Sequence, residues 1–204
     1  MMIFLVALGQ ISKAQDNNNF RYNIKTNPLA ALGGPIWILI VPITGEYKIL
    51  FEAKTFEKQS VEIGLGYLGS SILLNLNEIT SNDSSINDIN VSGFRAQAAY
   101  KFFITKESAP EGFYIGPHIS YASAKLKSKE NPQDNIEFLK LNLNVLIGYQ
   151  LITSGGFTLN IYTGLGFKYR DYSVASGSED IFDFTYGNNS SPNVPFGFTF
   201  GYSF

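Results

Sequence analysis

Strict two-residue alternation constrains this chain more than any other feature. In "FTLNIYTGLGFKYR", Phe157, Leu159, Ile161, Thr163, Leu165, Phe167 and Tyr169 form one set. Thr158, Asn160, Tyr162, Gly164, Gly166, Lys168 and Arg170 form the other. "LNLNVLIGYQL" and "GFRAQAAYKFFI" repeat the pattern, and "EYKILFEAK", "VEIGLGYL", "YIGPHISY" and "YNIKTNPLAAL" carry weaker versions of it. A period of two is the signature of a strand with unlike faces, since successive side chains point to opposite sides of a sheet. It predicts eight strands, near 22–32, 43–54, 60–69, 92–104, 113–125, 138–151, 157–171 and 194–204. Each has about the ten residues that a tilted strand needs to cross a bilayer.

The connections between these strands alternate in length. "TFEKQ", "KESAPEG" and "TSGG" are short turns. "SSILLNLNEITSNDSSINDIN", "KSKENPQDN" and "SVASGSEDIFDFTYGNNSSPN" are longer and rich in Asn, Ser and Asp. This asymmetry describes an all-β, eight-stranded antiparallel up-and-down transmembrane β-barrel, with short periplasmic turns and longer extracellular loops. No stretch reaches the roughly 18 apolar residues of a membrane helix, so entry into a membrane would be by strands.

The distribution of charge sharpens the reading. Lys25, Glu46, Lys48, Glu52, Lys54, Glu62, Arg95, Lys101, Lys140, Lys168 and Arg170 all fall opposite the large apolar face, together with His118. Lys125, at a strand end, is the exception. A soluble sandwich or lipocalin-like carrier would turn the same faces the other way, with the apolar side inward. The high aromatic share of 15 % and low charged share of 16 % favour rings facing hydrocarbon. Within the narrow interior, Glu52 and Glu62 are expected to pair with Arg95, Lys101 and Lys168, because unpaired charge there would be costly. Glycines on that face leave room for bulky neighbours.

Several function classes find no support. The chain lacks cysteine, so it has no disulfide framework and no thiolate nucleophile. A net charge of −2 carries no basic field for nucleic acid. "GLGYLG" (64–69) fits a dinucleotide glycine pattern, but an Asn/Ser-rich loop follows where the phosphate site needs a helix. His118 and Ser120 share a face and could belong to a triad with a glutamate, yet that face is the interior, away from lipid. Asp83, Asp88, Glu179, Asp180 and Asp183 cluster in loops without the spacing of a calcium loop. No metal and no cofactor is expected. Phe182, Phe184 and Tyr186 in the last loop offer an apolar surface for an extracellular partner.

Residues 1–14 read as an export signal. "MMIFLVALG" is an apolar run, and Ser12 and Ala14 stand at the −3 and −1 positions of a cleavage site, leaving 15–204 as a single barrel domain. The basic residues that normally open such a signal are missing.

In the closing segment "VPFGFTFGYSF", Phe196, Phe198, Phe200, Tyr202 and Phe204 alternate with small residues. This segment resembles the C-terminal assembly signal of Gram-negative outer-membrane β-barrel proteins. The whole chain resembles the small OmpA/OmpX-type eight-stranded barrels and the outer-membrane barrel domains of Bacteroidetes. That resemblance implies an outer-membrane location, lipid contact, and recognition of the last strand by the barrel-assembly machinery. It implies an envelope structural or surface-interaction protein with a filled lumen and no catalysis. The alternatives are a lipid A deacylase or acyltransferase of the outer membrane, and the soluble carrier.

Overall fold

The computed structural model describes residues 20–31, 44–70, 89–105, 107–128, 135–174 and 189–204. The expected signal at 1–14, the acidic loop residues and the loop aromatics Phe182, Phe184 and Tyr186 lie outside these. Among the described residues, no helix is long and apolar enough to cross a membrane.

The strands are β1 (Tyr22–Thr26), β2 (Thr44–Phe56), β3 (Gln59–Ser70), β4 (Ile89–Phe103) and β5 (Gly112–Ser128). They continue with β6 (Asn135–Ile152), β7 (Phe157–Val174), β8 (Asn189–Asn193) and β9 (Phe196–Ser203). Each pairs antiparallel with its sequence neighbour from β1 to β7, and β9 joins β7 back to β1. The result is a closed eight-stranded antiparallel barrel, because β8 and β9 are two halves of one stave. Gly166 faces Asn193 and Thr163 faces Phe196, so the register passes unchanged across the break. The break falls at Val194 and Pro195, where proline has no N–H to give to a ladder. The Asn/Ser-rich composition predicts a loop over 189–193, and the ladder to β7 makes it a strand instead.

β1 also differs from expectation. It ends at Thr26 and is followed by one helical turn, α1 (Pro28–Ala31). Asn27 explains the change, since its side-chain oxygen accepts the N–H of Ala30 at 3.2 Å and Pro28 takes the first helical position. β5, β6 and β7 run to 17, 18 and 18 residues, longer than a bilayer needs, and the excess lies toward the long loops.

Burial alternates with the sequence pattern, and its sense is inverted relative to a soluble protein. Leu65 is 72 % exposed and Leu165 70 %, while Lys25 and Lys101 are each 1 % exposed and Glu52 is fully buried. Apolar clusters inside are small. One, of Phe103, Ala109, Tyr114 and Leu146, lies toward the turns; another, of Leu68, Ala122 and Ala124, lies toward the loops. Closure is tight at the β1–β9 seam, where a Cβ on Gly201 would stand 1.9 Å from the carbonyl oxygen of Ile24.

Candidate functional site

The interior holds two ionic groups, and strand register sets both. At the turn end, β1 brings Lys25, β2 Glu52, β3 Glu62 and β4 Lys101 to one point. Lys25 Nζ donates to Glu52 and lies 2.6 Å from Glu62 Oε2. Lys101 Nζ lies 2.7 Å from Glu62 and 3.2 Å from Glu52. Gln150 of β6 reaches across the lumen, its Oε1 accepting from Lys25 at 2.8 Å and its Nε2 donating to Glu52 at 3.0 Å. The same amide donates to the backbone carbonyl of Pro110, which seats the β4–β5 turn over this end of the barrel. Ser60 donates to the other oxygen of Glu52. Lys101 Nζ also sits 4.8 Å from the ring centre of Tyr114, whose hydroxyl donates to Asn160 at 2.9 Å.

Two cations and two carboxylates make this group neutral, and its oxygens and ammonium protons are directed at one another. In a dry interior such a network is stable only when its members are satisfied together. Oε2 of Glu52 is engaged by Lys25, Lys101 and Gln150 and its Oε1 by Ser60, and Oε2 of Glu62 is held by both ammonium groups.

Of the five residues expected to form this network, Glu52, Glu62 and Lys101 come together. Arg95 does not join them. Its Nη1 donates to Glu46 at 2.7 Å. Six residues separate Arg95 from Lys101 along β4, and six separate Glu46 from Glu52 along β2. That is about 20 Å of strand, beyond the reach of one side chain. Lys168 stands toward the loops opposite Asn142 and is likewise apart. Lys25, the missing partner, was on the expected inward face, but the β1–β2 register that delivers it is not encoded by a short turn.

The second group lies toward the loops. Glu46 accepts from Arg95 and has Lys48 Nζ at 3.4 Å. On β6 and β7, Lys140 is directly opposite Arg170, and Lys168 is two residues further along.

His118 and Ser120 both face inward, but each has its own partner. Asn144 Nδ2 donates to His118 Nδ1 at 3.1 Å, and Asn142 Nδ2 donates to Ser120 Oγ at 2.9 Å. The geometry does not assemble a nucleophile with its base. Among the described residues, no set of His, Asp and Glu could hold a metal ion.

The outer surface is ordered in bands. β4 carries Phe94 and Phe102, and β5 carries Phe113 and Tyr121. In each strand the two rings are eight residues apart and point outward. Phe113 packs on Tyr149 at 4.6 Å between ring centres, and Tyr22 on Phe204 at 5.9 Å, at the turn end. Phe94 meets Tyr121 at 5.9 Å on the loop side. Between the two bands the outward residues are mainly aliphatic, with Ile49, Ile63, Leu65, Ile119, Leu143 and Val145 all exposed, while Phe51 and Phe167, the register partners of Ile63 and Leu143, set rings among them. Phe196, Phe198, Phe200, Tyr202 and Phe204 occupy the outward positions on and just after β9, and Thr199 and Ser203 are buried inside.

No family model matches the chain, and no curated protein matches it. Among solved structures, it is similar to the translocator domain of the autotransporter NalP from Neisseria meningitidis, at 13 % identity and a TM-score of 0.39. The match covers 95 % of this chain but only 65 % of that one. A likeness of this order carries no argument about activity.

Proposed function

We propose that the chain is an integral outer-membrane β-barrel of a Gram-negative bacterium, of the small OmpA/OmpX kind found also in Bacteroidetes. It serves the envelope as a structural or surface-interaction protein and performs no catalysis. The observation that carries this reading is the outward apolar surface, two aromatic bands with a mainly aliphatic belt between them, around an ionic interior. Eight residues at 3.4 Å each, on a strand tilted by about 40°, place the bands about 20 Å apart along the barrel axis. Barrels that cross the outer membrane carry an apolar band about 25 Å tall flanked by aromatic girdles, a few ångströms more than this spacing. A soluble carrier offers no reason to expose Leu65 and Leu165 while burying Lys25 and Glu52.

In this reading the short turns face the periplasm and the long loops face outward. The aromatic face of β9, from Phe196 to Phe204, is what the assembly machinery recognises, and the loops meet any extracellular partner. The test is fractionation with heat-modifiable migration on a gel. The protein should be in the outer-membrane fraction, need detergent for extraction, and migrate faster unheated than boiled. Recovery in the soluble fraction without detergent would overturn the assignment. A lipid-modifying activity is the competing reading. It would be revived if a His118→Ala change altered lipid A acylation.

A further inference from the structure

The two ionic groups of the lumen are built on opposite principles. The turn-side group balances Lys25 and Lys101 against Glu52 and Glu62. Among the described residues, the loop-side group sets Lys48, Arg95, Lys140, Lys168 and Arg170 against Glu46, five cations to one carboxylate. Arg95 and Lys48 already share that carboxylate. Among the described residues, Lys140, Lys168 and Arg170 have no acidic partner.

Their placement makes the imbalance costly. Lys140 and Arg170 are direct register partners in the β6–β7 ladder and both point inward. Like charges directly opposite each other destabilise a sheet. The electrostatic neighbours of Lys140 are Arg95, Arg170 and Lys168, with Glu46 the one opposing charge. All three unpaired cations are half-buried, so solvent screens them less than it would at a surface. The neighbours leave space: Ala122 stands between Arg95 and Lys140 in the register, and Ser191 of β8 faces Lys168. Three polar atoms in or near the group have no hydrogen-bond partner, Glu46 Oε1, Arg95 Nε and Asn142 Oδ1, and Arg95 Nε is the donor among them.

We infer that the loop-side mouth of the lumen is a binding site for a multiply charged oxyanion of the phosphate class, held by Arg95, Lys140, Lys168 and Arg170. A planar guanidinium presents paired N–H donors to phosphoryl oxygens, and the ammonium groups add point charge. A chloride would answer only part of this, since it offers one charge and no oxygen fork. The inference stands on the barrel interior and does not depend on the membrane reading.

The experiment follows the unfolding midpoint of the folded full chain at matched ionic strength in chloride, in inorganic phosphate, and in micelles doped with phosphatidic acid. Phosphate should raise the wild-type midpoint saturably. A Lys140→Gln, Arg170→Gln double variant should weaken that response at least tenfold. The same variant should be no less stable than wild type in chloride, because a like-charge pair has been removed. Lys125→Gln, on the outer face, should leave the response unchanged. A response to inorganic phosphate assigns a free ion, and one to phosphatidic acid alone assigns a lipid headgroup; either supports the site. No response to either, or an equal response in the double variant, overturns it. If the chain proves soluble, the phosphate arm runs in plain buffer, so the two readings fail separately.

Discussion

Lys25 Nζ lies 2.6 Å from Oε2 of Glu62, although β2 runs between their strands. The contact spans the inner curve of the wall and ties three staves at the turn end. Replacing Lys25 with Met leaves Glu52 and Glu62 to share Lys101 in a site closed to water. Loss of one member of a buried charge group costs about 3–5 kcal/mol. Adding Glu52→Gln should recover a large part of that loss, since the remaining pair, Lys101 and Glu62, is again balanced. Equilibrium unfolding from detergent or lipid measures both variants. Equal destabilisation by the single and double changes would contradict a charge-coupled network.

Alternation separated the two faces of the wall, and the aromatic apolar face with the scarcity of charge oriented it. Which side of each strand faced inward could be read from where Lys48, Glu52, Glu62 and Lys101 fell relative to Ile49, Phe51, Ile63 and Phe102. Partner choice could not be read in the same way. The Glu57–Lys58 turn is short, so the β2–β3 register that sets Glu52 opposite Glu62 is local. Lys25 reaches the same point only through closure of β1 on β2 and β9, which depends on contacts far apart in sequence. The early end of β1 was legible in principle, because Asn27–Pro28 is a helix-start signal, but the flanking alternation masked it.

Glu111 sits in the β4–β5 turn, outside the wall. Burial pushes its carboxyl up to about 6, with the nearby Glu107 adding to the rise and the N–H of Ile152 opposing it. In the unfolded chain it titrates near 4.5. The folded state therefore holds the proton more tightly, so this residue favours folding below pH 4.5 and that contribution is lost as pH rises through 6. Unfolding midpoints across this window should fall with rising pH, and Glu111→Gln should flatten that component. An unchanged slope in the variant would place the titrating group elsewhere.

Among the described residues, side chains fill the turn end of the lumen. Gln150 seats Pro110 over the lumen, and Phe103, Ala109, Tyr114 and Leu146 pack beneath it. The carboxylates and ammonium groups that could carry ions are engaged with one another. An eight-stranded barrel is in any case only wide enough to be filled by its side chains. Purified protein in planar bilayers should show little or no steady conductance. Large, stable channels would mean that the charge network and the turn above it separate in the membrane.

The orientation of the wall is tested most directly at Leu65, in the aliphatic belt at the middle of β3 and 72 % exposed. If hydrocarbon covers this position, Leu65→Arg should cost about 2–4 kcal/mol, the range for a cation on a lipid-facing strand at the bilayer midplane. The same substitution at Thr55, beside the turn and exposed, should cost well under half as much, because arginine near the interface keeps its hydration. Folding equilibria in lipid vesicles give both values. In water the ranking disappears, since an exposed leucine replaced by arginine on a soluble barrel is close to neutral. A Leu65→Arg protein as stable as wild type in bilayers would remove the hydrocarbon from around the belt, and with it the membrane reading.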